Sequence, residues 1–367
     1  MSADVAQRPG PAVPPGPAEV ADAERVALDL LRGASRRRRR RSAGVTGALL
    51  LLSLVVAGVS LSVGDFPLPL RQVALGLVGQ GDEITELVLG EFRGPRLALG
   101  ALVGVGLALS GGLFQSVLRN PLASPDVIGV TQGAAVGAVA VLLVLRLDAA
   151  WVPLGALVGA LVAAGATLAL AWRGGLDGRR FVLCGIGLAF AASSVLGYLL
   201  SRSDVQDAQT ALTWISGSVA SASWEGNARL AVALVVLVPL ALALSRRLDV
   251  LALGEQAATA LGVRAGATRL VAVLLAVGLA ATATAAAGPV AFVALASAPV
   301  ARRLVGDGRA ALLPTAAVGV TLVTACDVLA QHALDGRQVP VGLVTGVVGG
   351  VYLLWLLTTV RPRPGGA

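Results

Sequence analysis

The sequence predicts an all-α integral membrane protein of about ten transmembrane helices, and three observations carry that expectation. Hydrophobic residues make up 56% of the 367 positions and charged residues only 14%, with a mean hydropathy of +0.82. A soluble domain is roughly a quarter charged. Apolar runs of roughly twenty residues recur along the chain, the length that crosses a bilayer as a helix. Arginines gather in alternate loops, the asymmetry that orients membrane helices.

Residues 1–43 read as a cytoplasmic leader rich in Pro, Ala and Arg, largely disordered, with one or two amphipathic turns over 18–32. It ends in an unbroken arginine run, Arg36 to Arg41, which reads as an anchor beside the first span rather than a nucleic-acid site. No signal peptide is expected, because the first apolar run opens behind this long polar leader. The expected spans are residues 44–63, 97–118, 127–145, 151–172, 181–200, 229–245, 269–287, 288–301, 310–331 and 340–360. The eighth is short and opens on Gly288-Pro289, so a broken or tilted helix is expected there. With the leader inside, the inner loops carry Arg119, Arg173, Arg179, Arg180, Arg246, Arg247, Arg264, Arg302, Arg303 and Arg309, and the tail 361–367 carries Arg361 and Arg363. An even number of spans puts both termini in the cytoplasm.

Composition also excludes. The chain contains no lysine: all 29 basic residues are arginine. A P-loop needs a lysine to reach the β- and γ-phosphates, so any ATP motor must be a separate subunit. Cys184 and Cys326 lie in apolar spans and read as packing thiols, and His332 is the single histidine. Neither a metal cluster nor a nucleophile–base pair is legible, which argues against a membrane enzyme. The spans are nearly free of ionisable groups, which argues against an ion-coupled secondary transporter. Asp327, near a span end, is the main exception and reads as a buried, hydrogen-bonded structural group.

Residues 93–137 organise the rest. Two arginines, Arg93 and Arg96, lead into a small-residue span in which Gly100 and Gly104 form a GxxxG pair, the spacing that lets helix backbones approach closely in lipid. The span ends at Arg119-Asn120-Pro121. Asn-Pro followed by Ser124-Pro125 forbids a continuous helix, so two helices meet at a short, stiff hinge carrying Leu122. Further ladders are Gly155/Gly159 and Gly342/Gly346/Gly350. Residues 246–266 are too polar and Gly-interrupted to span. Within them a short helix over 255–261 is expected, with Gly254 before it and Gly262 ending it.

These motifs resemble the FecCD/BtuC-like permeases, the membrane subunits of ATP-driven importers for iron-siderophores and vitamin B12. The likeness rests on Arg93-Gly94-Pro95-Arg96, Ser110 to Gln115, Arg119 to Pro125 and Gly129 to Ala134, then on Gly288 to Val293, Asp327 and Val339 to Gly342. It implies a type II ABC importer permease fold over 44–360 and no catalytic or metal-binding residues. No cofactor is implied in this chain, because ATP and Mg bind partner ATPase subunits. Gly254, Glu255, Ala258, Leu261 and Gly262 fall on the ATPase-coupling element, and Asn120, Pro121 and Leu122 on a cytoplasmic gate. The family's other gate segment falls on Gly178 and Arg179, where an arginine departs from its small polar residues. Arg93 and Arg96 fall on arginines that dock the extracytoplasmic binding protein. A third docking arginine is replaced by Gln331, with Arg337 nearby. The Pro-His pair appears as Ala298-Pro299, and the last span's Gly-x-Pro ends in Val351. Trp214 to Val219 resembles the second permease of a siderophore pair. The resemblance therefore implies an iron(III)-siderophore importer of the bacterial cytoplasmic membrane, surrounded by lipid and with no nucleic-acid partner. It implies a heterodimer with a second FecCD-like permease, a homodimer being the alternative. Cobalamin or haem is the alternative cargo.

Overall fold

A computed structural model describes residues 17–64, 66–173, 178–306, 310–332 and 338–359. Residues 1–16, Arg309, Arg337 and the tail 361–367 lie outside the described residues. Among the described residues the regular structure is helical, with fourteen α-helices. They are α1 (Pro17–Ser62), α2 (Leu70–Leu77), α3 (Glu83–Leu87), α4 (Gly94–Leu118), α5 (Val130–Val139), α6 (Val152–Ala171) and α7 (Gly178–Ser201), then α8 (Val205–Ile215), α9 (Trp224–Leu251), α10 (Glu255–Ala260), α11 (Ala265–Ala287), α12 (Val293–Val305), α13 (Leu312–His332) and α14 (Val341–Thr359). Among the described residues, seven helices are long and apolar enough to cross a membrane, and Val130–Val144 and Val341–Trp355 add two shorter apolar ones. With α12, of 13 residues, each expected span has its helix.

Two boundaries differ from expectation. Helix α1 begins at Pro17 and runs unbroken through the arginine run into the first span, so from Pro17 the leader is helical rather than disordered. Ala, Glu, Leu and Arg, which dominate this stretch, are good helix formers, and the span supplies a helix to extend. Arg41 donates to the Leu304 carbonyl (3.2 Å) in the last turn of α12, where the helix dipole favours a cation. The second difference is α12, which starts at Val293 rather than 288. Gly288 (φ 71°) and Phe292 (φ 63°) are left-handed and Pro289 has no N–H, so the intervening backbone stays non-helical.

Helix α4 is the centre of the bundle. It packs against α13, α11, α12 and α9, and Leu107, Leu109, Leu113 and Phe114 are all buried. A helix apolar on every side belongs inside. Lipid supplies no hydrophobic force between helices, so contact itself must hold them. A methyl group at Gly104 would come within 2.5 Å of the Gly319 carbonyl oxygen, and one at Gly111 within 1.8 Å of the Ala294 oxygen. Helices α5 and α6 meet likewise: a methyl at Gly137 would lie 2.1 Å from the Gly155 oxygen. Hydrogen bonds across helices add to this, from Ser110 Oγ to the Ala276 carbonyl (2.7 Å) and from Gln115 Nε2 to the Leu295 carbonyl (2.9 Å). Gln115 also accepts from Arg302, joining α4 to α12 across a long stretch of sequence.

The faces of α7 and α14 are the counter-example. Phe190 and Tyr198 on α7, and Val347 and Leu354 on α14, are exposed apolar side chains. Gly346 and Gly350 have no neighbour within 4 Å among the described residues, so this part of the last ladder packs nothing there.

A pair of glycine substitutions tests the packing account. Gly111→Ala should cost about 1–3 kcal/mol by forcing α4 from α12. Gly165→Ala, a helical position with no neighbour within 4 Å, should be neutral or stabilising. Thermal unfolding in detergent reads both, and equal effects would refute the close-contact explanation.

Candidate functional site

At one end of α4 the chain builds the expected hinge. Arg119 follows Leu118 in the left-handed conformation (φ 50°, ψ 33°). Asn120 Oδ1 accepts from the Leu122 amide (2.9 Å), and the Asn120 carbonyl accepts from Ala123 (3.1 Å). These bonds and the fixed φ of Pro121 make a stiff turn from which Leu122 projects, 42% exposed. Ser124 is extended, as a residue before proline must be, and a 3₁₀ turn over Pro125–Ile128 leads to Gly129 and α5. Within that turn Asp126 accepts from the Thr131 hydroxyl. Burial pushes its carboxyl above the usual range, the Thr131 bond pulling the other way.

The hinge touches two other candidate segments. Leu118 packs on Gly178, the first residue of α7, where an added methyl would lie 3.2 Å from Leu118 Cδ2. Arg119 Nη2 donates to the carbonyl of Leu251 (2.5 Å), the last residue of α9. That carbonyl also accepts from the Gly254 amide (3.2 Å), closing the turn into α10. Gly254 (φ 113°) and Gly262 (φ 78°) take backbone conformations that a side chain would strain, and so bracket a one-helix excursion. Between them Ala258 is buried, while Leu261 and, just before the turn, Leu253 are 63% and 68% exposed. Glu255 forms an ion pair with Arg269 of α11, tying α10 to the bundle. A cavity of about 350 Å³ opens beside it, lined by Leu244, Arg247, Gly262, Arg264 and Thr268 among others. Gly254, Glu255, Ala258, Leu261 and Gly262 thus form one turn–helix–turn that presents leucines outward.

At the opposite end of α4 lie Arg93 and Arg96. Both guanidiniums, which the family resemblance assigns to docking, are also engaged within the chain. Arg93 donates to the carbonyls of Leu61 (2.6 Å) and Phe66 (2.5 Å). Arg96 forms a two-pronged pair with Asp327, at 2.9 Å from Nε to Oδ2 and 2.9 Å from Nη2 to Oδ1, and also donates to Gln338 (2.9 Å). The Arg96 and Asp327 side chains are only 12% and 5% exposed. Gln331, one turn on, donates to Asp327 Oδ2 (2.9 Å). A buried carboxylate recruits the nearest strong donors, and that demand outweighs display to solvent. The structural role expected of Asp327 fits this network.

The entry to α4 is set by Pro95. The preceding turn, Val88–Arg93, is π-helical, and Pro95 has no N–H to offer the Gly90 carbonyl five residues back. Trp224 Nε1 fills that vacancy (2.6 Å), and Asn227 Nδ2 binds the Pro95 carbonyl (2.8 Å). A second assembly escaped sequence reasoning. The segments Trp214–Val219, Gly288–Val293 and Val339–Gly342 meet backbone to backbone. Ser218 donates to Ala287 (2.8 Å) and Gly342 to Gly217 (3.0 Å), and a methyl at Gly217 would lie 1.9 Å from the Pro289 oxygen. Irregular backbone at membrane depth survives where protein satisfies it, and glycines in all three segments were the available signal.

A family model described as the FecCD transport family matches residues 49–359. The ferric enterobactin transport system permease protein FepG of Escherichia coli (strain K12) is 37% identical over 314 residues, covering 85% of this chain and 95% of that protein. The iron(3+)-hydroxamate import system permease protein FhuG of Bacillus subtilis (strain 168) is 36% identical over 323 residues, covering 85% and 96%. A solved structure described as an inward-facing conformation of a metal-chelate type ABC transporter superposes with a TM-score of 0.76 at 27% identity, covering 87% of this chain and all of that one.

The buried pair yields a double-mutant test. Asp327→Leu alone strands Arg96 and should cost about 3–5 kcal/mol, whereas Arg96→Met with Asp327→Leu should recover much of that loss. Detergent melting curves read the cycle; simple additivity would show that the two side chains are energetically independent.

Proposed function

This chain belongs to the FecCD transport family, and from that premise we propose that it is the transmembrane permease subunit of an ABC importer that carries an iron(III)-siderophore complex across the bacterial cytoplasmic membrane. ATP hydrolysis in separate subunits drives it. The observation that carries this reading is the near end-to-end similarity to ferric enterobactin and iron-hydroxamate permeases. The arginine distribution supports an orientation with Arg119, Glu255 and both termini on the cytoplasmic side.

In this reading the α10 excursion is the contact for the ATPase. Its outward leucines, flanking a short helix tied by Glu255 to Arg269, suit insertion into an apolar groove of a partner. Leu122 on its proline-stiffened turn serves as a gate plug, apolar and held in place. The binding protein is received at the Arg93 end. There Arg93 and Arg96 shape the surface by holding the loop over 61–66 and the start of α4, rather than by offering free charges. The uncovered faces of α7 and α14, with Gly346 and Gly350 open, support a seam with a second permease and a path on the axis between the two. The replaced motif residues at Ala298-Pro299, Gln331 and Val351 favour a heterodimer, because a partner can retain what both copies of a homodimer would lack.

Leu261→Asp places a charge at an exposed position and should leave the fold intact while reducing recovery of the ATPase with the permease roughly tenfold or more. Copurification at wild-type stoichiometry would falsify the coupling assignment. For the assembly, this chain expressed with its ATPase but no second permease should yield no transport-competent complex in proteoliposomes supplied with ferric chelate and binding protein. ATP-dependent iron uptake by two copies of this chain would refute the heterodimer and leave the family intact.

A further inference from the structure

Arg119 does more than end α4. Helices commonly end on a left-handed residue, and glycine is the residue that takes this conformation without strain. Here an arginine occupies it (φ 50°), and its guanidinium spans to the carbonyl of Leu251, 132 residues further along the chain. Within the hinge, Arg119 is bonded directly to Asn120, whose side chain sets the turn that presents Leu122. At the far end, the Leu251 carbonyl is shared between Arg119 and the Gly254 amide, the bond that closes the turn into α10. Both lone pairs of that one oxygen are therefore used, one by each candidate segment. Helix α10 packs on α9 and α11, so a displacement of α10 reaches the end of α9 first.

We propose that Arg119 is a positioning residue that transmits movement of the ATPase-coupling turn to the gate turn. The proposal rests on the reading of Gly254–Gly262 as the coupling element and of Asn120–Leu122 as a gate. A charge-assisted bond from a planar guanidinium is short and directional, so it resists both stretching and tilting. When α10 shifts, the Leu251 carbonyl shifts with it and draws on the backbone of the hinge. Leu118, one residue before Arg119, lies against Gly178 at the start of α7, so the same pull reaches the other segment that the family resemblance places at the gate. Two energetically linked elements with one bond between them are the minimum needed for coupling.

The discriminating variant is Arg119→Gly. It removes the guanidinium and relieves the left-handed strain, so the fold is kept. The complete transporter, with its ATPase, second permease, binding protein and a ferric chelate, is reconstituted in proteoliposomes, and chelate imported per ATP hydrolysed is measured. Arg119→Gly should assemble and hydrolyse ATP while the import ratio falls roughly tenfold, and Arg119→Lys, which keeps one donor, should recover part of it. A wild-type import ratio in Arg119→Gly overturns the proposal. So does loss of ATPase binding in that variant, which would make Arg119 part of the docking surface. Leu261→Asp separates the levels. If it leaves ATPase recovery unchanged, the coupling reading falls and the strut with it. If it disrupts recovery while Arg119→Gly stays coupled, only the strut falls.

Discussion

The constraint on which this structure depends is the bareness of α4. In lipid, helices gain little by hiding apolar surface from neighbours that are equally apolar, so they must touch. Gly104 against Gly319 and Gly111 against Ala294 bring backbones to distances that no side chain would allow. Once α4 is held on several sides, what happens at its ends matters most. One end is fixed by Asp327 through Arg96 and by Trp224 and Asn227 at the π turn. The other ends in a left-handed arginine and a proline-stiffened turn. A rod pinned at one end and hinged at the other concentrates any rearrangement at the hinge, because close-packed interiors do not deform continuously.

Much of this was legible because membrane helices write themselves plainly. Length and hydropathy located each span, and an interruption at the start of the short eighth was expected from Gly288-Pro289. The hinge was legible because Asn-Pro and Ser-Pro restrict the backbone locally, with no help from the rest of the chain. The α10 excursion was legible for the same reason, its bounds being two glycines that take positive φ. The start of α1 was missed because a polar, proline-containing composition resembles disorder, while the helix is extended from the span it adjoins.

What sequence could not convey was pairing across distance. Arg96 and Asp327 lie 231 residues apart, and both were noted, yet nothing local says that one carboxylate is the other's partner. The meeting of Trp214–Val219 with Gly288–Val293 and Val339–Gly342 is likewise a product of tertiary contact. Two of these stretches read alone as the starts of spans and the third as a connecting segment, and nothing local says that they meet. The Arg119–Leu251 bond belongs to this class: a left-handed arginine cannot be told from an ordinary one until the backbone is seen.

The inward turn of Arg96 and the missing arginine at position 331 are best understood as one change. Asp327 is a single buried carboxylate with a limited number of acceptor sites. Gln331 is neutral and donates one bond to Oδ2, so the carboxylate still requires a cation, and Arg96 supplies it. An arginine at 331 would sit one turn from Asp327 on the same helix face and could neutralise it locally. Arg96 would then be released toward the surface, as the family resemblance expects. With glutamine there, the Arg96 charge is drawn to Asp327. At this end of α4 the arginines organise backbone and buried charge within the chain. Charge pairs with a partner's carboxylates set register and association rate. A transporter with two such ends would lack both, whereas one that joins this chain to a permease with the standard arginines would be steered from one side only. In the proposed heterodimer, asymmetric docking would then follow from the chemistry of a single glutamine.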